Sequence, residues 1–461
     1  MIKRITAFLL LILIFFTLQS CGSADKPAEN NNEEEIVATD MDGYEFIFGV
    51  TAHLDNTPEL LQPVGFSDRG DKILTRYNET GTHFNCNMNV FLGTDMATAI
   101  TTAAATGDRY ASLVESFRLP KEYLRPFTDY EDFDLSSDKW GSPNMLKVFS
   151  YGKDVYGVYA GYWGLPYPWM QGTMFYAPPR IKEAGLTDPH ELYEQKKWSW
   201  NDFEEYCRSY TQISTIKEES KYGFVVTPQV QFIRAAILSN GGSYLTIDEN
   251  GKLLYGLDSP ESIEAIDWVK NLINDEQVGT YISDSYKLAN RGIMNGTYAF
   301  HVDASILSFY DGEAHYAMEF EEPHGWIQFP VGPKGNYDIQ TTGFSAAKFL
   351  FMPLENNDSN IEYDNEIINY IFEPLENETS DTWKTDMRRN FFFEDASFNY
   401  FIDAFENSLP SEYYYMTPKS YNFEGIIGNI LNSKKTPTEM LQSQHDKIMT
   451  EVDEINAQLV D

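Results

Sequence analysis

The sequence contains few cysteines and few cations for its length. Only three cysteines occur in 461 residues, and two of them, Cys86 and Cys207, lie far apart in different predicted segments. We expect both to be buried thiols rather than parts of a disulfide framework. Lys and Arg number 34 against 70 Asp and Glu, so the net charge is -36. Such a charge repels nucleic acid and anionic lipid surfaces, and we expect no nucleic-acid partner.

The chain also lacks an apolar run long enough to span a membrane. The N-terminal run from Ala7 to Phe16 falls well short of the roughly 20 residues that a membrane helix needs. It follows two cations and precedes Cys21, which is the layout of a secretory signal. Leu18, Ser20 and Cys21 resemble a bacterial lipobox, which predicts that residues 1–20 are removed and that Cys21 carries a lipid. In the alternative interpretation an ordinary signal is cut nearby and Cys21 is incidental.

Large apolar side chains are almost absent from residues 21–42. This segment is rich in Asn, Glu and Ala, and it has too little hydrophobic surface to offset the entropy of ordering. We therefore predict a flexible acidic tether. The remaining chain exceeds what one hydrophobic core supports, so we expect two or three domains beyond it.

Strands and helices alternate after the tether. The first predicted elements are a strand at 43–50, a helix at 71–83, a strand at 84–90, a helix from Met96 to Thr106 that Asp95 can cap, and a strand at 110–114. This order predicts a doubly wound parallel sheet. A second such region is predicted by a strand at 173–176, helices at 198–211, 229–238, 259–273 and 285–294, and a strand at 298–302. Residues after 361 are predicted to be mostly helical.

Aromatic residues are abundant at 15% of the chain, and several lie beside Gly and Pro rather than in periodic segments. Residues 159–172 hold the densest group, and their composition is typical of neither helix nor strand. Some of these side chains are candidates to face a ligand.

Eight sequence motifs occur along the chain, each once, in a recognisable order. They are GDKILTRYNETGTHFNCNMNV, YGKDVYGV, MFYAPPRIKEAGL, WSWNDFEEY, NGG at 240–242, SPESIEAIDWV, NRGIMNGTYAF and FPVGP at 329–333. In order and spacing they resemble the family 1 extracellular solute-binding proteins, the carbohydrate-binding lipoproteins that include relatives of maltose-binding protein. One departure is the run from Phe175 to Arg180, where the family usually has Tyr-Tyr-Asn-Lys.

The resemblance implies an α/β protein with a two-lobed, type II periplasmic-binding-protein-like fold. Each lobe is expected to be a doubly wound sheet with flanking helices, and the ligand cleft is expected at the hinge. The implied division is residues 43–159 and 331–375 for lobe 1, and 160–330 and 376–461, with the C-terminal helices, for lobe 2. Crossovers are expected near 158–161 and 330–342.

The resemblance also implies a function. The protein is expected to be a monomer without cofactor or enzymatic activity that captures a carbohydrate by hinge closure and delivers it to the permease subunits of an ABC importer. The lipid on Cys21 would hold it at the extracellular face of the membrane, or in the periplasm of a Gram-negative cell.

Candidate ligand contacts follow from the chemistry of sugars, which present apolar C–H faces and a rim of hydroxyls. Such a ligand needs aromatic platforms beside planar polar groups. Tyr162, Trp163 and Trp169 follow the expected hinge strand, although ordinary hinge packing is an equal alternative. Asp303 follows the strand ending at Val302, where it can accept two hydroxyl protons or cap a helix.

Two further candidates have open alternatives. Trp326 is either a platform or a core residue, with the core slightly favoured, and Asp95 caps a helix, touches ligand or does both. Trp200 and Trp268 lie at apolar helical spacing and are predicted to be core residues. The seven histidines form no metal or catalytic motif, so we predict no metal site.

Three rival functions stay open at this point. A secreted glycosidase needs only two carboxylates, which can lie far apart in sequence. The same fold also suits an adhesion or sensing module without a permease, or a transport protein for a peptide or an organic acid. The aromatic content favours a sugar.

Overall fold

The computed structural model describes most of the chain that follows the tether. The described residues are 39–51, 68–93, 95–116, 119–130, 132–160, 170–171, 173–227, 229–248, 252–282, 286–302, 323–338, 340–344, 349–354, 361–379, 381–409 and 423–459. Residues 40–461 form one compact unit. The predicted signal, Cys21 and nearly all of the tether lie outside the described residues.

The strands are short and the helices are mostly of three turns or fewer. The strands are β1 Glu45–Thr51, β2 Asn87–Gly93, β3 Leu113–Ser116, β4 Leu124–Arg125, β5 Ser150–Tyr151, β6 Asp154–Val155, β7 Gly157–Val158, β8 Met170–Gln171, β9 Thr173–Tyr176, β10 Tyr222–Val226, β11 Leu245–Ile247, β12 Leu253–Tyr255, β13 Gly279–Tyr281, β14 Tyr298–Val302, β15 Gly325–Gln328, β16 Gln340–Phe344, β17 Phe349–Pro353 and β18 Ser408–Leu409. The helices are α1 Asp68–His83, α2 Met96–Thr106, α3 Pro143–Lys147, α4 Pro178–Glu183, α5 Pro189–Glu194, α6 Trp200–Tyr210, α7 Gln229–Ser239, α8 Pro260–Lys270, α9 Tyr286–Met294, α10 Ile361–Ile371, α11 Thr382–Phe391, α12 Asp395–Asn407, α13 Phe423–Asn432 and α14 Pro437–Leu459.

The first large sheet confirms the predicted βαβ opening. Its strand order is β2-β1-β3-β17-β4, with β7 also paired to β17. β1 runs parallel to β2 and to β3, whereas β17 returns antiparallel to β3. The Phe46 and Phe48 side chains of β1 are fully buried, as alternation on a covered sheet face requires. The second strand begins at Asn87 rather than at Phe84, because Asn85 takes a positive φ of 48° and turns the chain there.

The second large sheet has the order β13-β10-β14-β9-β15. β10 is parallel to β13 and β14, and β9 is antiparallel to both of its neighbours. α6 begins at the predicted capping box, in which Ser199 and Asp202 satisfy each other's backbone amides. The rings of Trp200 and Trp268 stack with centroids 4.1 Å apart against the core of this sheet, which confirms their predicted packing role. Cys86 and Cys207 are free, buried thiols, as expected.

The C-terminal helices pack on both large sheets. Arg76 of α1 donates hydrogen bonds to the backbone carbonyls of Tyr370, Glu373 and Pro374 at the end of α10, which fixes α10 to the first sheet's helices. In the second region, the Asn456 amide of α14 bonds both the N–H and the carbonyl of Leu253 in β12. The expected division of the chain between two lobes stays a prediction.

A third, small sheet contains strands from two of the segments that pass between the two large sheets. Its order is β18-β16-β8, and we call it the crossover sheet. β8 lies between β7 of the first sheet and β9 of the second, and β16 lies on the return path from β15 to β17. β18 lies between α12, which packs on β15, and α13, which packs on α7. Backbone hydrogen bonds therefore join these two passages to each other and to a strand of the second region.

Candidate functional site

The site is defined by where the chain crosses from one large sheet to the other. β7 ends at Val158, in the same row as Leu350 and Glu115 at the carboxyl end of β3. The chain enters the second sheet at Thr173, opposite Gln328 at the carboxyl end of β15. Both sheets thus turn their carboxyl edges toward the crossovers, and open α/β sheets bind ligands at these edges.

The edge of the first sheet contains a buried carboxyl group. Glu115 of β3 is fully buried, and Ser116 beside it is 8% exposed. The Tyr159 ring follows β7 and lies 5.9 Å from the ring of Phe349, which pairs with Ser116. Burial raises the pKa of the Tyr159 phenol, and the negative charge of Glu115 adds to the shift. The first edge therefore combines a buried carboxyl group with an aromatic ring.

Asp95 lies next to this edge, just after β2. Its carboxylate accepts a hydrogen bond of 3.1 Å from the Thr98 amide and caps α2, as predicted. Hydrogen bonds from Thr98 hold the pKa of Asp95 below its usual value. The capping role is confirmed, and a ligand contact by the same side chain stays a prediction.

The described residues at the edge of the second sheet include a set of neutral polar groups. The Thr227 hydroxyl, directly after β10, lies 2.8 Å from His301 Nε2, and His301 Nδ1 lies 2.7 Å from Asn290 Oδ1 of α9. His301 is fully buried, and burial lowers its pKa to about 3, so the ring is neutral at neutral pH. Gln328 Oε1 accepts a hydrogen bond of 2.7 Å from the Tyr193 hydroxyl.

Trp326 is placed in the interior of the second region rather than on an open surface. The side chain is 2% exposed, and its ring centroid lies 5.1 Å from that of Phe175 on the neighbouring strand. Its backbone amide donates a 2.9 Å hydrogen bond to Ser397 of α12. Of the two predicted alternatives for Trp326, this packing favours the core residue over the ligand platform.

Four other predicted contacts cannot be placed. Tyr162, Trp163, Trp169 and Asp303 lie outside the described residues. Conversely, sequence reasoning missed Glu115 and His301. The available signal was a titratable residue inside an otherwise apolar strand, in LVES and in YAFHV, which is uncommon unless the group is paired or functional.

The described ranges lack two other features. No helix there combines the length and the hydropathy that a membrane span requires. No group of His, Cys, Asp or Glu in the same part of the chain has the arrangement of a metal site.

Three solved structures are similar in fold. The sugar-binding protein MalE from Xanthomonas citri has a TM-score of 0.60 at 14% identity, covering 90% of this chain and 98% of that chain. An ABC transporter solute-binding protein from Thermotoga lettingae, bound to α-D-tagatose, gives 0.56 at 15%, covering 89% and 100%. UgpB from Mycobacterium tuberculosis, in complex with glycerophosphocholine, gives 0.56 at 15%, covering 89% and 99%.

These similarities confirm the predicted two-lobed, type II periplasmic-binding-protein-like fold. No curated protein sequence matches the chain. The family of bacterial extracellular solute-binding proteins matches residues 68–348, more than half of the sequence. The match spans both carboxyl edges and the first two crossovers. The chain therefore belongs to the bacterial extracellular solute-binding protein family.

Proposed function

We propose that the protein is a lipid-anchored receptor that captures a carbohydrate between its two lobes and delivers it to an ABC importer. The observation that carries the proposal is the family match across two sheets whose carboxyl edges both border the crossover segments. A solute held there contacts both lobes, so binding favours the closed state over the open one.

The polar groups at the two edges support a ligand rich in hydroxyls. Glu115 offers carboxyl oxygens on one side, and Thr227 offers a hydroxyl on the other. A sugar hydroxyl can donate to either group while it accepts from another. Tyr162, Trp163 and Trp169 are proposed to supply the aromatic platform, and Asp303 is proposed to bind hydroxyls.

The first experiment is a thermal-shift screen of residues 40–461, which form one compact unit. The panel contains monosaccharides, maltotetraose, mannotriose, glycerophosphocholine, peptides and organic acids. A solute at 100 times its Kd stabilises the folded state by about 2.7 kcal/mol and raises the Tm. We expect a shift for one class of sugar. A shift for peptides or organic acids alone would contradict the carbohydrate proposal and leave the family assignment intact.

A matched pair of variants tests the proposed platform. Trp163→Ala is expected to lose most of the shift caused by the best sugar. Phe393→Ala, which removes an aromatic ring that is 50% exposed and adjoins His324, is expected to keep it. Equal shifts in both variants would remove Trp163 from the site.

The proposed anchor is tested in whole cells. Cys21→Ser is expected to release the protein from the membrane fraction and to abolish incorporation of a labelled fatty acid. Cys86→Ser is the control, because Cys86 is a buried thiol in the folded unit. Membrane retention of Cys21→Ser would contradict the lipid anchor and show that the uncleaved apolar segment holds the protein.

A further inference from the structure

Three buried polar side chains meet at the carboxyl edge of the second sheet. Val225 of β10 is paired with His301 of β14, so Thr227, two residues beyond Val225, follows on the same sheet face as the imidazole. Asn290 projects from α9, which packs on β14. Thr227 is 3% exposed, and His301 and Asn290 are fully buried.

The distances fix the direction of hydrogen-bond donation along these three side chains. The carboxamide oxygen of Asn290 has no proton, so the 2.7 Å contact requires His301 to carry its proton on Nδ1. Nε2 of a neutral imidazole is then an acceptor. Thr227 must donate its hydroxyl proton to Nε2 across 2.8 Å. The lone pairs of the Thr227 oxygen are left to accept from another partner.

This arrangement lowers the stability of the hydrophobic core. Among the described residues, the amide nitrogen of Asn290 has no hydrogen-bond acceptor although it is buried. Such a group loses its hydrogen bonds to water on folding without a replacement, which destabilises the folded state. Apolar side chains of similar volume would pack here without that cost. A buried polar chain that ends at a ligand-binding edge has a role other than stability as its simplest explanation.

We propose that Asn290 and His301 form a relay that orients the Thr227 hydroxyl as an acceptor for one hydroxyl group of the bound carbohydrate. Thr227 is then a specificity-determining contact, and His301 and Asn290 are positioning residues. The inference rests on the proposed carbohydrate-binding function and names one contact of that site. A ligand hydroxyl that binds Thr227 leaves bulk water. A ligand without that hydroxyl is therefore expected to bind much more weakly.

The relay itself is tested without ligand. In ¹⁵N-labelled protein at pH 7, the relay requires His301 to be the neutral tautomer protonated at Nδ1, with Nε2 showing the chemical shift of an acceptor. In Asn290→Leu this tautomer preference is expected to weaken. An Nε2-protonated ring in the wild-type protein would overturn the relay, because Thr227 could not then be fixed as an acceptor.

The ligand contact is tested by calorimetry with the best sugar of the screen and its set of monodeoxy analogues. We expect Thr227→Val to raise the Kd about tenfold and Thr227→Ser to stay within about threefold of the wild type. One deoxy analogue is expected to bind the wild type about tenfold more weakly and to lose nothing further in Thr227→Val. Thr227→Val is nearly isosteric but leaves Nε2 of His301 without its donor, so its Tm without ligand is expected to fall, and its folded state is checked before the titration.

Two results overturn the contact in distinguishable ways. If the wild type binds a sugar and folded Thr227→Val binds every analogue equally well, the proposed function stands and the Thr227 contact is wrong. If the wild type binds no sugar of the panel, the proposed function and the contact are both wrong, and the tautomer of His301 still decides whether the relay exists.

Discussion

The two carboxyl edges have the same architecture and different chemistry. Each combines parallel strands with one antiparallel strand that joins the crossovers, yet the first buries the carboxyl group of Glu115 and the second places the neutral chain of Thr227, His301 and Asn290. Strand order therefore decides where a solute binds, and individual side chains decide what binds there. We expect each edge to contribute hydrogen bonds to a solute that carries hydroxyl groups.

The largest expected effect tests whether the two regions are independent. Trp198 and Trp140 are both fully buried. Trp198 donates to the Gln328 carbonyl beneath the second edge, and the Trp140 carbonyl accepts from Tyr159 beneath the first. Changing either tryptophan to Ala is expected to lower the free energy of unfolding by about 3–5 kcal/mol, measured in urea.

Hydrogen exchange locates that loss. In Trp198→Ala, amides of β10 and β14 are expected to exchange faster while those of β1 and β3 are unchanged, and Trp140→Ala is expected to give the reverse. Equal acceleration in both sheets would mean that the regions unfold as one unit.

The next effect concerns the buried carboxyl group at the first edge. Glu115→Gln keeps the shape of the side chain and replaces one acceptor oxygen with an amide nitrogen, so a ligand hydroxyl that donates to that oxygen loses its acceptor at a cost of about 1–3 kcal/mol. We expect the Kd for the best sugar to rise roughly tenfold to a hundredfold by calorimetry. Glu79→Gln makes the same substitution at an exposed position of α1 and is expected to bind normally. An unchanged Kd in folded Glu115→Gln would show that the first edge does not contact ligand.

His301 at the second edge is expected to make the stability of the protein depend on pH. The pKa of His301 is about 3 in the folded protein and about 6.5 when unfolded. Between these values the unfolded chain binds a proton that the folded chain does not, so falling pH destabilises the fold by about 1.4 kcal/mol per pH unit below 6.5. At pH 5 the loss from this residue is about 2 kcal/mol.

Comparison with His301→Gln isolates this contribution. Its free energy of unfolding, measured in urea from pH 7 to pH 5, is expected to fall less steeply than that of the wild type. Parallel curves would mean that the imidazole becomes protonated within the folded protein at ordinary pH.

The smallest effect separates the two roles of Asp95. Asp95→Ala removes the cap of α2 and is expected to cost about 1 kcal/mol, seen as a lower Tm. Asp95→Asn keeps an acceptor for the Thr98 amide and is expected to keep the stability. Any loss of affinity in Asp95→Asn therefore measures a ligand contact, and a Tm as low as that of Asp95→Ala would contradict the capping role.

Local patterns predicted the elements well where both ends carried a signal. α2 begins and ends at the predicted residues because Asp95 caps its start and Gly107 takes the left-handed conformation at its end. β14 was likewise predicted over its full length. The antiparallel insertion of β17 between β3 and β4 was not predictable, because pairing of strands so distant in sequence leaves no local mark.

The site was harder to predict for a related reason. The functional roles of Glu115 and His301 depend on residues that neighbour them on other strands. The pattern within a single strand shows only that its side chains are buried. For Trp326 the sequence left both alternatives open with the core slightly favoured, and its position opposite Phe175 agrees with the core. The pairing register between strands, which brings these side chains together, could not be predicted from the sequence.

The crossover sheet has a mechanical consequence. Three separate strands tied by hydrogen bonds resist twisting and sliding, so a bend about the sheet is the motion that preserves all of those bonds. The angle between the lobes then varies along a single coordinate. Under the proposed function, a permease that recognises that angle would receive the same signal from any solute that closes the protein, so the ligand site and the permease-docking surface could change independently.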